Sequence, residues 1–147
     1  MIKRSVPADV HPLSESKLDY EFQYKEQPFT FEVKRKSDGM SLFSMDSDFV
    51  FKDQFIQLST WRESGAKTYG IGESTRLEQE LQVGTTQTMW AADIPAAAMY
   101  NNLYGSYPYY LQVNKGKAHG AMLMNSNGMD IEPVSYTHLT LPTICSV

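Results

Sequence analysis

YYLQVNKGKAHGAMLMN, residues 109–125, decides the fold. Two apolar-rich segments flank Asn114-Lys115-Gly116-Lys117. Asn and Gly accept the positive backbone angles that a tight hairpin turn demands, so the two flanks read as paired antiparallel strands.

The same signature recurs on both sides of this hairpin. LDYEFQY (18–24) and FTFEVKR (29–35) alternate apolar with polar residues. That period of two sets one strand face on a core and the other in water, giving two half-buried strands joined through Gln27-Pro28. Ser37-Asp38-Gly39 is a turn signal, and SLFSM, DFVFKD, QFIQLSTW, KTYGIGES, TTQTMWAAD and NGMDIE are further short β-rich pieces. Helix signals are poor. Residues 75–83 (TRLEQELQV) could form about two turns and 96–100 one more, without a long apolar stripe at helical spacing. The economical architecture is an all-β fold, a two-sheet antiparallel β-sandwich built largely as a meander.

Bulk properties narrow the class. The chain has 147 residues, 41% hydrophobic, 20% charged and 12% aromatic, which fits one folded domain rather than a disordered segment. Residues 1–17, with Pro7 and Pro12, read as a loose lead-in, and the folded part begins near Leu18. The net charge is −4, and apart from Lys34-Arg35-Lys36 the basic residues are scattered, so no stripe exists to neutralise phosphates and nucleic acid is an unlikely partner. No membrane span is expected, since no window holds the roughly 18–20 continuous apolar residues a bilayer crossing needs. Behind the basic residues of MIKRSVPADVHPL there is no apolar core of a signal peptide. Cys145 is the only cysteine, so thiol usage leaves the compartment unknown, and neither a metal site nor any other cofactor is implied.

The end of the chain differs in character. VSYTHLTLPT (134–143) is what the codons GTC TCT TAT ACA CAT CTG ACG CTG CCG ACG spell, and these resemble a transposon-type sequencing adapter. Residues 134–147 are accordingly expected to be foreign, the biological sequence to stop near Glu132 or Pro133, and His138 and Cys145 to carry no chemistry. The competing interpretation is an ordinary C-terminal strand.

Candidate chemical residues are few. YGIGE (69–73) lacks the third glycine of a dinucleotide fingerprint and the GK[ST] of a P-loop, so its glycines mark a turn or bulge where backbones pass closely. NNLYGSYPYY (101–110) gathers four tyrosines and two amides, able to offer flat faces and hydrogen bonds to a sugar, or equally to be a strand behind a turn. His11 and His119 have no triad or metal spacing, and His119 reads as a hydrogen-bonded structural histidine. Asp93 lies where the strand-like MW gives way to a loop, a common setting for binding residues and also for an ordinary surface carboxylate.

Taken together, YGIGE (69–73), MWAADI (89–94), NNLYGSYPYYLQV (101–113) and HGAMLMNSNGMDI (119–131) resemble, in order and spacing, the N-terminal domain of family 31 glycoside hydrolases. The α-glucosidase and α-xylosidase branch is most similar, and a weaker likeness extends back to Leu18. The resemblance implies a galactose-mutarotase-like β-sandwich over residues 18–133, preceding a catalytic (β/α)₈ barrel and lending a loop to the active-site rim. It also implies that Asp93 matches the acidic residue of that loop, which accepts hydrogen bonds from glucosyl hydroxyls. A carboxylate suits this role, being acceptor-only and forming short charge-assisted bonds. Ser74 and Tyr107 stand where the family often has histidine, which puts the substrate branch in doubt.

Retaining glycosidases need two carboxyl groups about 5–5.5 Å apart. In the family both come from the barrel, the nucleophile from a WxDMNE-type motif that is absent here. Eight βα units take about 250 residues, more than this chain has, so no catalytic residue is assigned and the segment is expected to have lost its barrel. The partners implied are an α-glucoside or oligosaccharide substrate and the catalytic barrel of the same chain. The alternatives are a stand-alone carbohydrate-binding module and, less favoured, a mutarotase, whose histidine and glutamate pair has only His119 to draw on.

Overall fold

The computed structural model describes residues 14–45, 49–53, 55–90, 94–95, 99–135 and 138–144. Beyond one 3-10 turn at Glu15–Lys17, the regular structure among them is entirely β. The strands are β1 Tyr20–Glu26, β2 Phe29–Arg35, β3 Ser41–Ser44, β4 Val50–Lys52, β5 Phe55–Trp61, β6 Lys67–Ser74, β7 Gln87–Met89, β8 Asn102–Asn114, β9 Lys117–Met122, β10 Met129–Ser135 and β11 His138–Ile144. All ladders are antiparallel. The described residues contain no helix long and apolar enough to cross a membrane.

Hydrogen bonding divides the strands into sheets ordered β1-β2-β3, β4-β5-β11-β10-β7 and β6-β8-β9. The first two are joined by an isolated Met45–Thr60 bridge. The backbone N–H of Ser44 also donates to Thr60 Oγ1 at 3.1 Å. They therefore act as one layer, and the β6-β8-β9 sheet is the other. Only the first sheet is a simple meander, because β6 pairs with β8 across the segment that holds β7.

The core forms where the layers meet. Ile71 and Tyr110 come from one layer, Met89, Met129 and Ile131 from the other, and Leu81 from the loop after β6. Ile131 is fully buried. Such a cluster is what the apolar period of β10 supplies once a second sheet covers it.

The 109–125 hairpin forms as its sequence demands. Asn114 pairs with Lys117, and Lys115 and Gly116 have φ of 49° and 75°, the double positive-φ turn that matches strand twist. The Ser37–Gly39 turn also forms, with Gly39 at φ 70° donating its N–H to the Arg35 carbonyl at 2.8 Å. Its Asp38 carboxylate accepts from Arg35 and Lys117, and Arg35 donates onward to the Ala118 carbonyl at 3.0 Å. That network fastens the first sheet to the β8–β9 hairpin.

Two sequence expectations are corrected. β1 is a strand, but it is exposed along its whole length rather than half-buried. Its apolar face joins a row of rings, with Phe22 centred 5.5 Å from Phe31 and Phe31 5.4 Å from Phe43, that is only partly covered. Residues 75–83 form no helix. Glu80 bridges to Tyr69, Leu81 donates its N–H to the Thr68 carbonyl at 2.8 Å, and Arg76 turns back to the Gly70 carbonyl at 2.6 Å. Tertiary partners on β6 and burial of Leu81 outweigh a weak local propensity. The turn expected at 96–100 falls mostly outside the described residues.

Residues 138–144 run as β11 between β5 and β10 in the centre of their sheet. A backbone ladder is indifferent to side-chain identity, so this pairing accommodates either origin of the segment.

Candidate functional site: a polar cavity bordered by Trp90 and Ile94

At residues 69–74 the β6 backbone departs from regular pairing. The register against β8 shifts between Gly70 and Gly72 and again between Gly72 and Ser74. Gly70 has φ 104°, and a Cβ there would lie 2.5 Å from the Tyr109 carbonyl oxygen. Gly70 thus permits the close backbone approach read from the sequence, whereas a Cβ at Gly72 would meet nothing nearer than 3.8 Å. Between them Ile71 is held at φ 56°, a strained conformation for a β-branched residue, with Arg76 bonded to the neighbouring carbonyl.

This irregularity opens a cavity of about 330 Å³ between β6, β7 and the start of β8. Ile71 and Met89 form its floor, and Ser74, Thr86, Thr88, Trp90, Ile94, Tyr100 and Asn102 contribute to its walls. Trp90 and Tyr100 stay largely exposed, offering flat aromatic faces. Gly128 seats the indole, because a Cβ there would stand 2.5 Å from Trp90 Cε3.

The polar groups are sharply divided between committed and free. Thr86 and Thr88 donate their hydroxyls across the sheet to Glu132 at 2.8 Å and Asp130 at 2.7 Å. Asn102 donates Nδ2 to the carbonyls of Glu73 at 2.7 Å and Gly105 at 2.9 Å. Asn102 Oδ1 and Ser74 Oγ, both buried, have no protein partner. Buried polar atoms are nearly always hydrogen-bonded, so two unsatisfied side-chain oxygens on residues that line one cavity mark where its polar framework is incomplete.

Asp93 itself lies outside the described residues, but its flanking positions Trp90 and Ile94 both line this cavity. The tyrosine-rich stretch divides in two: Tyr110 is buried in the core, and Tyr104, Tyr107 and Tyr109 are exposed on β8. His119 is half-buried away from this cavity, and His11 and Cys145 lie outside the described residues. Of His138 only the strand position is described. No group of three or more His, Cys, Asp or Glu capable of holding a metal occurs among the described residues. Sequence reading had singled out Ser74 only for its place in the family pattern and missed Asn102 as an individual. The one available signal was the doubled amide at 101–102.

Residues 4–132 match the glycosyl hydrolase 31 N-terminal galactose mutarotase-like domain. The chain belongs to that family. It is 43% identical over 126 residues to an α-glucosidase of Mucor javanicus and 38% identical over 133 residues to α-xylosidase 1 of Arabidopsis thaliana. These matches take in 85% and 87% of this chain but 14% of each relative. A Flavobacterium johnsoniae GH31 dextranase, solved with isomaltotriose, superposes with a TM-score of 0.65 at 19% identity, covering 80% of this chain and 14% of that one. The family 31 N-terminal domain expected from the sequence motifs is therefore the fold of this chain, and the described residues hold no barrel helix.

Proposed function

We propose that this domain shapes the sugar pocket of a retaining α-glycosidase acting on α-linked glucosides. Asp93 accepts hydrogen bonds from the hydroxyls of the bound glucosyl unit, and the cavity bordered by Trp90 and Ile94 adds the Trp90 and Tyr100 faces. The observation that carries this role is the cavity that Trp90 and Ile94 border, with the exposed Trp90 and Tyr100 rings and the polar residues Ser74 and Asn102 in its lining. The named relatives being an α-glucosidase and an α-xylosidase supports the substrate class. The two carboxylates of the reaction come from polypeptide other than the matched 14%, and the domain performs no hydrolysis alone.

Within this proposal the domain is residues 18–133, and 134–147 is foreign sequence, of which 138–144 take a strand position that another strand of the parent chain fills. The family match over residues 4–132 supports the C-terminal boundary, whereas its start at residue 4 takes in most of the lead-in. Sequencing the source locus across the codons for residues 130–143 tests both parts. A frame continuing into a barrel with a WxDMNE-type nucleophile motif is expected, and a natural stop codon there sinks the hydrolase role. In the enzyme so recovered, Asp93→Asn should lower kcat/KM about 10–100-fold, the worth of a charge-assisted hydrogen bond. An unchanged value removes Asp93 from the pocket.

A stand-alone carbohydrate-binding module is the second possibility, favoured by the exposed Trp90 and Tyr100. A saturable change in tryptophan fluorescence when the isolated chain is titrated with maltose or isomaltose would support it, and a flat titration would count against it.

A further inference from the structure

β1 is an edge strand. Among the described residues it pairs with β2 alone, at every position from Tyr20↔Arg35 to Glu26↔Phe29 and without a register shift. Neither a proline nor a bulge interrupts it, two of the devices by which edge strands discourage further pairing. The direction of its free backbone groups follows from the Lys36 N–H, which donates to the Asp19 carbonyl at 3.0 Å and continues the same register one step beyond β1. Hydrogen-bonded pairs alternate along an antiparallel ladder, so Glu21, Gln23 and Lys25 turn their N–H and C=O groups to β2. Tyr20, Phe22, Tyr24 and Glu26 turn theirs outward.

The side chains alternate as well. Phe22 and Tyr24 stack on one face with centroids 6.1 Å apart, and they are 56% and 60% exposed. Glu21, Gln23 and Lys25 share the other face, where the Gln23 amide donates to the Glu21 carboxylate at 2.8 Å. Read outward from Gln23, the strand has an aromatic ring on each side and then two opposite charges.

We propose that this edge is a self-association site, at which β1 pairs antiparallel with β1 of a second copy about a twofold axis through Gln23. The strand is its own complement in that register. Phe22 meets the partner's Tyr24, and Tyr20 meets the partner's Glu26. Each of these residues has outward backbone groups, so the ladder closes with hydrogen bonds at every such pair. On the polar face Glu21 meets the partner's Lys25, and the twofold repeats this ion pair on the far side of Gln23. Moving the axis to Phe22 or to Tyr24 keeps the alternation of the ladder but shortens the overlap and sets Glu21 or Lys25 opposite a glutamine. Charge and backbone thus select one register. The sheet becomes continuous across two copies in the order β3-β2-β1-β1-β2-β3, with the exposed rings of both at its centre. A strand-to-strand contact is smaller than the roughly 1,200–2,000 Å² of standard interfaces, so association is expected in the micromolar range. This surface is separate from the glucoside pocket and does not depend on Asp93.

Sedimentation velocity of the 147-residue chain tests the site, at concentrations from about 1 to about 500 μM. The dimer share should rise with concentration. Lys25→Glu, which sets like charges opposite each other at both places, should weaken the dimer about 10-fold. The double exchange Glu21→Lys with Lys25→Glu restores opposite charges and should recover it, and thermal melts verify that both variants keep the fold. A second readout needs no charge change. Gln23→Cys in a Cys145→Ser background should form a disulfide-linked dimer on mild oxidation, because the Cα atoms paired on the twofold lie about 4.5 Å apart, within disulfide reach. A chain that stays monomeric throughout and does not crosslink overturns the proposal and leaves this edge to another segment of the longer parent chain. Dimerisation that Lys25→Glu does not weaken also overturns it, and places the contact on the exposed rings rather than on the strand edge.

Discussion

Asn102 reaches across from β8 to donate its amide to the Glu73 carbonyl at 2.7 Å, at the place where the β6–β8 ladder is irregular. The same amide bonds the Gly105 carbonyl, so one side chain serves two backbone acceptors while its own oxygen stays buried and without a protein partner. A structural staple and a candidate binding group are here one residue.

Asn102→Leu should therefore cost about 2–4 kcal/mol, since two carbonyls lose donors in a buried setting. Urea unfolding followed by tryptophan fluorescence measures it. A loss below about 0.5 kcal/mol would mean that water replaces the amide without penalty.

Gly128→Ala should displace the Trp90 indole, because the added Cβ would meet the ring at 2.5 Å. The readout is the tryptophan emission spectrum together with sugar affinity in the parent enzyme. An unaltered spectrum would show that the indole is not seated on this backbone.

Ile131→Ala should destabilise the domain by about 2–5 kcal/mol, the range for emptying a fully buried aliphatic site. By contrast, Gly116→Ala, at φ 75° with nothing within 4 Å of the new Cβ, meets only backbone strain and should cost about 1 kcal/mol. Denaturant midpoints at constant slope separate the two.

Burial holds the His119 pKa below its ordinary value of 6.5, with the nearby Arg35 charge acting in the same direction and the Leu42 backbone bond opposing them. The unfolded chain then binds more protons than the folded one. This contribution to stability is complete above about pH 6.5 and is lost as pH falls through the folded-state pKa. The melting temperature should drop across that window in wild type and drop less in His119→Gln, whose side chain does not titrate.

Removing residues 134–147 should leave the β5 and β10 edges that flank β11 unpaired, on a molecule that already exposes Phe22, Tyr24 and Phe51 elsewhere. Open edges and exposed aromatic rings both favour association. The shortened chain is expected to elute as oligomers or aggregates in size-exclusion chromatography. A sharp monomer peak with a cooperative melt would show that β11 is dispensable and the aromatic row harmless.

Much of this molecule is legible in its sequence because the governing rules are local. Asn114-Lys115-Gly116-Lys117 determines a hairpin through backbone angles alone, Ser37-Asp38-Gly39 another turn, and period-two alternation marks strands wherever they end up. Glycines 70 and 72 announced an irregular crossing without saying what it opens onto. The motifs from 69 to 131 identified the family, and through it Asp93, whose environment the described residues border but do not include. What needed the tertiary structure depends on contacts between distant segments. Residues 75–83 lose their helix to β6, and β1 carries a core-like pattern with no layer over it. Asn102 becomes a site residue only when Glu73 and Gly105 claim its donors and leave its acceptor open. Alternation records which side chains are apolar, whereas burial and the satisfaction of each polar atom are decided by which strands the chain brings face to face.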